Sequence, residues 1–360
     1  MARFDEVFID VTRVGRKIQT AGYSDVGMYP IIDQGQNEIA GYTDETEGLF
    51  EDVPAIIFGD HTRVIKYVDR PCFLGADGVK LLKARLSDSN YRYLYYALQS
   101  VKIPNTGYNR HFKWLREAKI PLPNAQSQNE VVKTLDAVND LLSLRKQQLA
   151  KLDELVKSQF VELFGDPISN PKGWKTDTAE KHIDLLSGFP FDSSQYTESG
   201  VNICGGLIIM PQRIEWNDCK HWSSVEGYEE YTLKENDIVI ALDRPWISEG
   251  FKIAMVEAEY LPALLIQRTA RVRAISINQY YLMYCFLLGG FDKHCNVTGS
   301  LVPHISAKDI RSFQIMLPPS TLQEQFAAFV EQTDKSKLAV KQSIEKLETL
   351  KKSLMQKYFG

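Results

Sequence analysis

Residues 120–165 and 315–360 are two versions of one segment, and this repeat restricts the fold more than any other feature of the chain. Laid over one another without a gap, at a constant offset of 195, the stretches share thirteen of forty-six positions. Ile120, Leu122, Pro123 and Gln128 meet Ile315, Leu317, Pro318 and Gln323, and at the far end Phe164-Gly165 meets Phe359-Gly360. So many identities without a gap mark a duplication. Each copy predicts one long helix. It opens after a Leu-Pro step, which disfavours helix upstream. Capping boxes are expected at Ser127–Glu130 in the first copy, and at Ser320–Gln323 or Thr321–Glu324 in the second. Glycine closes each helix, where a C-cap belongs.

Between the caps, apolar residues recur at alternating steps of four and three. Leu135, Leu142, Leu149 and Leu152 fall on this stripe in one copy; Val330, Val340, Ile344 and Leu347 do so in the other. An average spacing of 3.5 is the pattern of a coiled-coil seam. At ~1.5 Å per residue, about 37 residues make a helix roughly 55 Å long, more than one small globule needs to cover.

A second register of the repeat joins the regions ahead of the helices. Gly15, Tyr23 and Gly27 correspond to Gly188, Tyr196 and Gly200, displaced by 173. The second globular region therefore carries about 22 extra residues, the difference of the two offsets, 195 less 173. It also has a lead-in, Asn170-Pro171-Lys172-Gly173-Trp174, without a counterpart in the first. Short alternating runs bounded by turn residues, at 53–59, 62–69, 237–242 and 250–256, predict strands. Tyrosine-rich runs at 90–98 and 278–286 predict one short helix per region, with the rings in the core. The plan is then four segments, 1–119, 120–165, 166–314 and 315–360: globule, long helix, globule, long helix. Antiparallel pairing of the helices would relate the halves by a pseudo-two-fold axis.

Composition excludes more than it selects. The net charge is −4, which gives no general argument for nucleic acid. Residues 1–123 carry sixteen basic and sixteen acidic side chains, and residues 174–318 thirteen and eighteen. A DNA-binding face must therefore be a local patch. No apolar run is long enough to cross a membrane, and the opening Met-Ala-Arg-Phe-Asp-Glu has no signal-peptide shape. Five cysteines without a Cys-x-x-Cys pair fit a reducing cytoplasm. Cys219, His221, His294 and Cys295 have poor spacing for zinc, and no metal site is expected.

Phosphate loops, dinucleotide fingerprints, zinc-protease and nucleophile-elbow motifs do not occur, nor does the Asn/Asp-Pro-Pro-aromatic tetrapeptide of amino-methyltransferases. No catalytic residue is assigned. The better candidates for function are polar clusters on loops. Asn109-Arg110-His111 with Lys113 precedes the first Leu-Pro step; Ser300, His304 and Lys308 hold the analogous place in the second half. Arg63, Lys66, Arg244, Gln267 and Arg268 are further candidates. Arginine, asparagine and glutamine make bidentate contacts with base edges, and lysine and arginine contact phosphates.

These features together resemble the specificity subunit of a Type I restriction–modification system. The resemblance rests on Ile120-Pro-Leu-Pro with Gln128 and Ile315-Met-Leu-Pro-Pro with Gln323, each running into a long helix ending in Phe-Gly. The lead-in Asp166-Pro-x-x-Asn-Pro-x-Gly-Trp174 is similar as well. The resemblance implies an α+β chain in which two mainly-β target-recognition domains are separated by an antiparallel coiled coil. Each domain would read half of a bipartite target in double-stranded DNA. The helices would fix the spacing and dock two modification subunits. It also implies that the chain holds no cofactor. S-adenosylmethionine, for adenine methylation, would belong to those partners, and ATP and Mg to restriction subunits. Two alternatives stay open: the recognition subunit of a Type IIB-like enzyme, and a coiled-coil scaffold that binds proteins but no DNA.

Overall fold

The computed structural model describes residues 1–107, 109–295 and 304–360, in two compact units. The first unit comprises residues 1–146 and 341–360, the second residues 147–340. The first globule is thus completed by the beginning of one long helix and the end of the other.

In the first unit, strands Phe8–Asp10, Val79–Ala84, Ala55–Gly59 and Ile65–Val68 form an antiparallel sheet in that order. Gly41–Thr43, Tyr29–Ile32 and Phe73–Leu74 form a smaller one, mixed in direction. The second unit repeats both. Its larger sheet orders Ile183–Ser187, Thr269–Ala274, Ile238–Ala241 and Ile253–Met255. Its smaller sheet orders Lys220–Trp222, Val201–Cys204 and Ala263–Leu265. The extra residues of the second globule include two hairpins, Ile209–Met210 with Arg213–Ile214 and Trp246–Ile247 with Gly250–Phe251. The lead-in missing from the first globule does not cost it a strand. Ala2–Arg3 pairs with Lys119–Ile120, as Thr176–Thr178 pairs with Gln314–Met316.

The tyrosine-rich runs are helices, Tyr91–Gln99 and Gln279–Leu288, each capped by an asparagine side chain. Their tyrosines are core residues: Tyr93 and Tyr96 are buried in the first unit, Tyr281 and Tyr284 in the second. The same hydrogen bond ties each helix to the Leu-Pro region. Tyr93 Oη donates to the Pro121 carbonyl at 2.9 Å, and Tyr281 Oη to that of Met316 at 3.0 Å.

The long helices run Ala125–Phe164 and Ser320–Phe359, 40 residues each, or about 60 Å. Both start earlier than the expected capping boxes allow. Ser127 is already inside the first helix, and its N–H donates to Asn124 Oδ1 at 2.9 Å, so Asn124 is the cap. Ser320 and Thr321 are likewise helical. The repeated glutamine closes no box; it reaches back to the Leu-Pro step. Gln128 Nε2 donates to the Pro123 carbonyl and Gln323 Nε2 to that of Pro318, both at 2.8 Å. At the other end Gly165 takes φ +82°, the left-handed turn expected of a C-cap. The lead-in then satisfies the last carbonyls. Lys172 Nζ donates to Glu162 and Leu163, and Trp174 Nε1 to Phe164.

Leu135, Leu142, Val330 and Val340 are buried on the seam, and Leu149, Leu152, Ile344 and Leu347 are half-buried. Within each unit the helix segments run antiparallel. Val131 and Leu135 share a core with Leu354, Met355 and Tyr358 in the first unit, as Phe160 and Phe164 do with Phe326 in the second. One seam position is ionic, where Lys337 Nζ lies 2.7 Å from Asp153. No helix among the described residues is long and apolar enough to cross a membrane.

The two copies of the glutamine differ in burial, and stability should follow. Gln323 is 5% exposed and also accepts a bond from the Asn278 N–H at 2.8 Å. Gln323→Ala would strand a buried carbonyl and a buried amide, so it should cost about 1–3 kcal/mol in urea unfolding. Gln128→Ala, at a half-exposed site, should cost clearly less. Equal losses would mean that the bond to Asn278 contributes nothing.

Candidate nucleic-acid interface

Six described residues other than glycine have positive φ, and three of them are arginines: Arg63 (φ 63°), Arg244 (φ 46°) and Arg268 (φ 65°). Asparagine takes this backbone readily, whereas arginine does so at a cost of about 1 kcal/mol or more. Arg63 and Arg244 hold the same topological place, in the turn that follows the central strand of the larger sheet, Ala55–Gly59 or Ile238–Ala241. Arg63 is half-buried and Arg244 exposed. Neither forms a side-chain hydrogen bond or ion pair among the described residues.

Beside each turn the fold brings together an aspartate and a histidine far apart in the chain. In the first unit the pair faces inward. His111 is fully buried, and its Nδ1 and backbone N–H donate to the Asp60 carbonyl at 3.0 and 2.7 Å. The Asp60 carboxylate accepts from the Phe112 N–H at 2.8 Å. In the second unit the pair faces solvent. His304 Nδ1 is 2.6 Å from Asp243 Oδ1, while Arg268 holds Oδ2. His304 and Arg268 are both well exposed. Burial pushes the Asp243 carboxyl up, but the bonds from Arg268 and His304 outweigh it, and its pKa lies below the ordinary aspartate value. The carboxylate thereby orients an arginine and a histidine at one surface point.

The remaining candidates divide by burial. Lys66 is 6% exposed, and its Nζ donates to the Asn37 carbonyl at 2.6 Å and lies 3.3 Å from Asp33. Burial lowers its pKa and Asp33 opposes that shift. Lys252 repeats the arrangement by donating to the Gly206 carbonyl. These lysines brace loops from inside, so Lys66, like His111, is not presented at the surface. Arg110, Lys113, Gln267 and Lys308 are exposed. Lys113 Nζ lies over the Trp114 ring at 4.2 Å, and Asn109 donates to the Thr106 carbonyl at 2.5 Å. Ser300 lies outside the described residues. Cys219 and His221 adjoin at 3.8 Å, whereas His294 bonds with Asp309 and Ser312. No group of three or more potential metal ligands occurs among the described residues. Sequence reasoning missed Asp243; its place directly before Arg244 in a turn was the available signal.

The strained arginines allow a role in DNA contact to be tested apart from stability. Arg244→Gly should leave unfolding free energy unchanged or raise it by up to about 1 kcal/mol, because glycine accepts the left-handed backbone. DNA affinity, measured in parallel, should fall at least fivefold. A clear loss of stability would show that the arginine is kept for the fold.

The family model described as Type I restriction modification DNA specificity domain matches residues 3–154 and 215–349. The EcoAI specificity subunit of Escherichia coli, a Type I restriction enzyme component, is 29% identical over 213 residues, covering 56% of this chain and 34% of that protein. The MjaVIII specificity subunit of Methanocaldococcus jannaschii is 25% identical over 261 residues, covering 68% and 61%. The match thus spans less than two thirds of either relative's length. Among solved structures, the S subunit of a Type-I restriction-modification system from M. genitalium superposes with TM-score 0.58 at 18% identity, covering 99% of this chain and 95% of that one. A chain from work on assembly and conformational transition of the type I R-M system gives 0.53 at 17%, covering 99% and 96%. At such identities the likeness is one of fold. The family match, which covers most of the sequence, settles the wider question: the chain belongs to the Type I restriction modification DNA specificity domain family.

Proposed function

We propose that this chain is the non-catalytic subunit that chooses the DNA target for a Type I restriction–modification assembly. The observation that supports this best is the duplication with divergence. Two globules share one sheet order, yet place different side chains at the same turn, Arg63 near a buried Asp60–His111 pair and Arg244 near an exposed Asp243–His304 pair. A reader of two unlike half-sites needs one framework with two sets of contacts. In this reading Arg244, Arg268, Gln267 and His304 address one half-site, and Arg63, Asn109, Arg110 and Lys113 the other.

The chemistry belongs to partners. Two modification subunits would supply S-adenosylmethionine for adenine methylation, and restriction subunits would use ATP and Mg for cleavage. The assembly works on double-stranded DNA in the cytoplasm. What this chain contributes is position, since charge-assisted contacts from its turns would hold the duplex in register for the partner.

Exchanging residues 174–314 for the matching region of a relative tests the division of labour. Sequencing of methylated bases genome-wide should show one half of the motif replaced and the other retained. A change in both halves, or in neither, would rule out two independent readers.

A further inference from the structure

The first unit contains an open groove of about 1400 Å³ between its globule and its helix segments. Its floor is apolar, with Val64, Ile103, Leu142 and Met355. Its walls carry six cations, Arg63, Lys102, Lys119, Lys146, Lys351 and Lys352, against the Glu348 carboxylate. None of the six forms an ion pair or side-chain hydrogen bond among the described residues. Several cations elsewhere in this globule are neutralised: Arg16 by Glu45, Lys17 by Asp77, Lys80 by Asp10, Arg92 by Asp136.

The repeat shows that the groove is particular to this unit. Lys351 corresponds, at the offset of 195, to Val156, a fully buried core residue of the second unit. Glu348 corresponds to Asp153, which Lys337 neutralises; the residue matching Lys337 is Leu142, which cannot do the same for Glu348. An apolar seam position has been replaced by a half-buried lysine facing another. Burial and the Lys146 ammonium hold the Lys351 pKa below the ordinary lysine value, against Glu348. Unpaired like charges in a half-dry groove are stabilised by an anion.

We propose that the five lysines of this groove form a phosphate track, which grips the backbone of the DNA duplex without reading its sequence and adjoins Arg63 of the half-site reader. The inference rests on the DNA-reading function above and adds a second, sequence-independent contact surface to it. Lysines and arginine are the side chains that contact phosphates, whereas lysine is depleted at protein–protein interfaces. That difference favours DNA over an acidic protein segment.

The test uses the full chain, alone and saturated with its methyltransferase, and two 30-base-pair duplexes, one random and one carrying the methylated motif. Fluorescence anisotropy is followed against salt for wild type and for the triple variant Lys102→Gln, Lys351→Gln, Lys352→Gln. Each phosphate contact contributes about 0.9 to the slope of log affinity against log salt. The variant's slope should therefore be shallower by about two to three, and its affinity for both duplexes on the order of a hundredfold lower near 0.1 M salt. The ratio between duplexes and the methylated motif should not change, and the triple arginine variant should restore the slope. Circular dichroism and a thermal melt establish that each variant is folded; a glutamine variant that fails this is replaced by one with only the exposed Lys102 and Lys352 changed. An unchanged slope overturns the proposal. So does a variant that binds DNA normally but no longer captures the methyltransferase, which would make the groove a protein-docking site. If wild type itself does not distinguish the two duplexes, the reading function falls, and the groove's role as an adjunct to it falls too.

Discussion

Everything in this fold depends on how each globule covers its tyrosine-rich helix. Such a helix is too short to stand alone and exposes aromatic surface that one small sheet cannot bury. The cover comes from the long helices. Phe160 and Phe164 pack on Tyr281 with ring centroids 5.6 and 4.7 Å apart, and Phe359 packs on Tyr93 at 5.6 Å. Phe164 and Phe359 are equivalent in the repeat, and so are the tyrosine hydroxyl bonds to Pro121 and Met316. Each unit is closed by segments from both copies of the duplicated helix, which explains why the helix ends in Phe-Gly twice.

That closure explains which parts of the duplication could diverge. Residues serving it are retained in kind: the capping asparagines of the aromatic helices and the glutamines bonded to Pro123 and Pro318. Turns beyond the central strand take no part in it. There the same Asp–His proximity has been turned inward in one globule and outward in the other, with arginines held in a costly backbone beside both. A backbone cost that packing does not repay is reasonable where the side chain serves a ligand.

Electrostatics follow the same division. A chain of net charge −4 has no general attraction for a polyanion. Many cations of its globules are tied to carboxylates, as Arg92 is to Asp136 and Arg273 to Asp237. The DNA contacts proposed above fall on cations left unpaired at the turns and along the groove, which would displace counter-ions from DNA with no partner in the fold to give up.

The repeat at offset 195, the 3.5-residue seam and the Leu-Pro steps are local patterns, so the long helices, the two globules and the place of the aromatic helices were legible in the sequence alone. The family was legible for the same reason, because its marks lie in contiguous segments. The first capping box was misread because Asn124 outcompetes Ser127 for the helix start, a choice between two good local caps. The sites were legible only by residue type. Lys66 and His111 look as available in the sequence as Arg110 and Lys113, yet the fold buries the first two and exposes the others. The Asp243–Arg268–His304 cluster and the six-cation groove join residues dozens to hundreds of positions apart. No local pattern encodes such meetings, because burial and pairing are properties of the surface that remains after distant segments have packed.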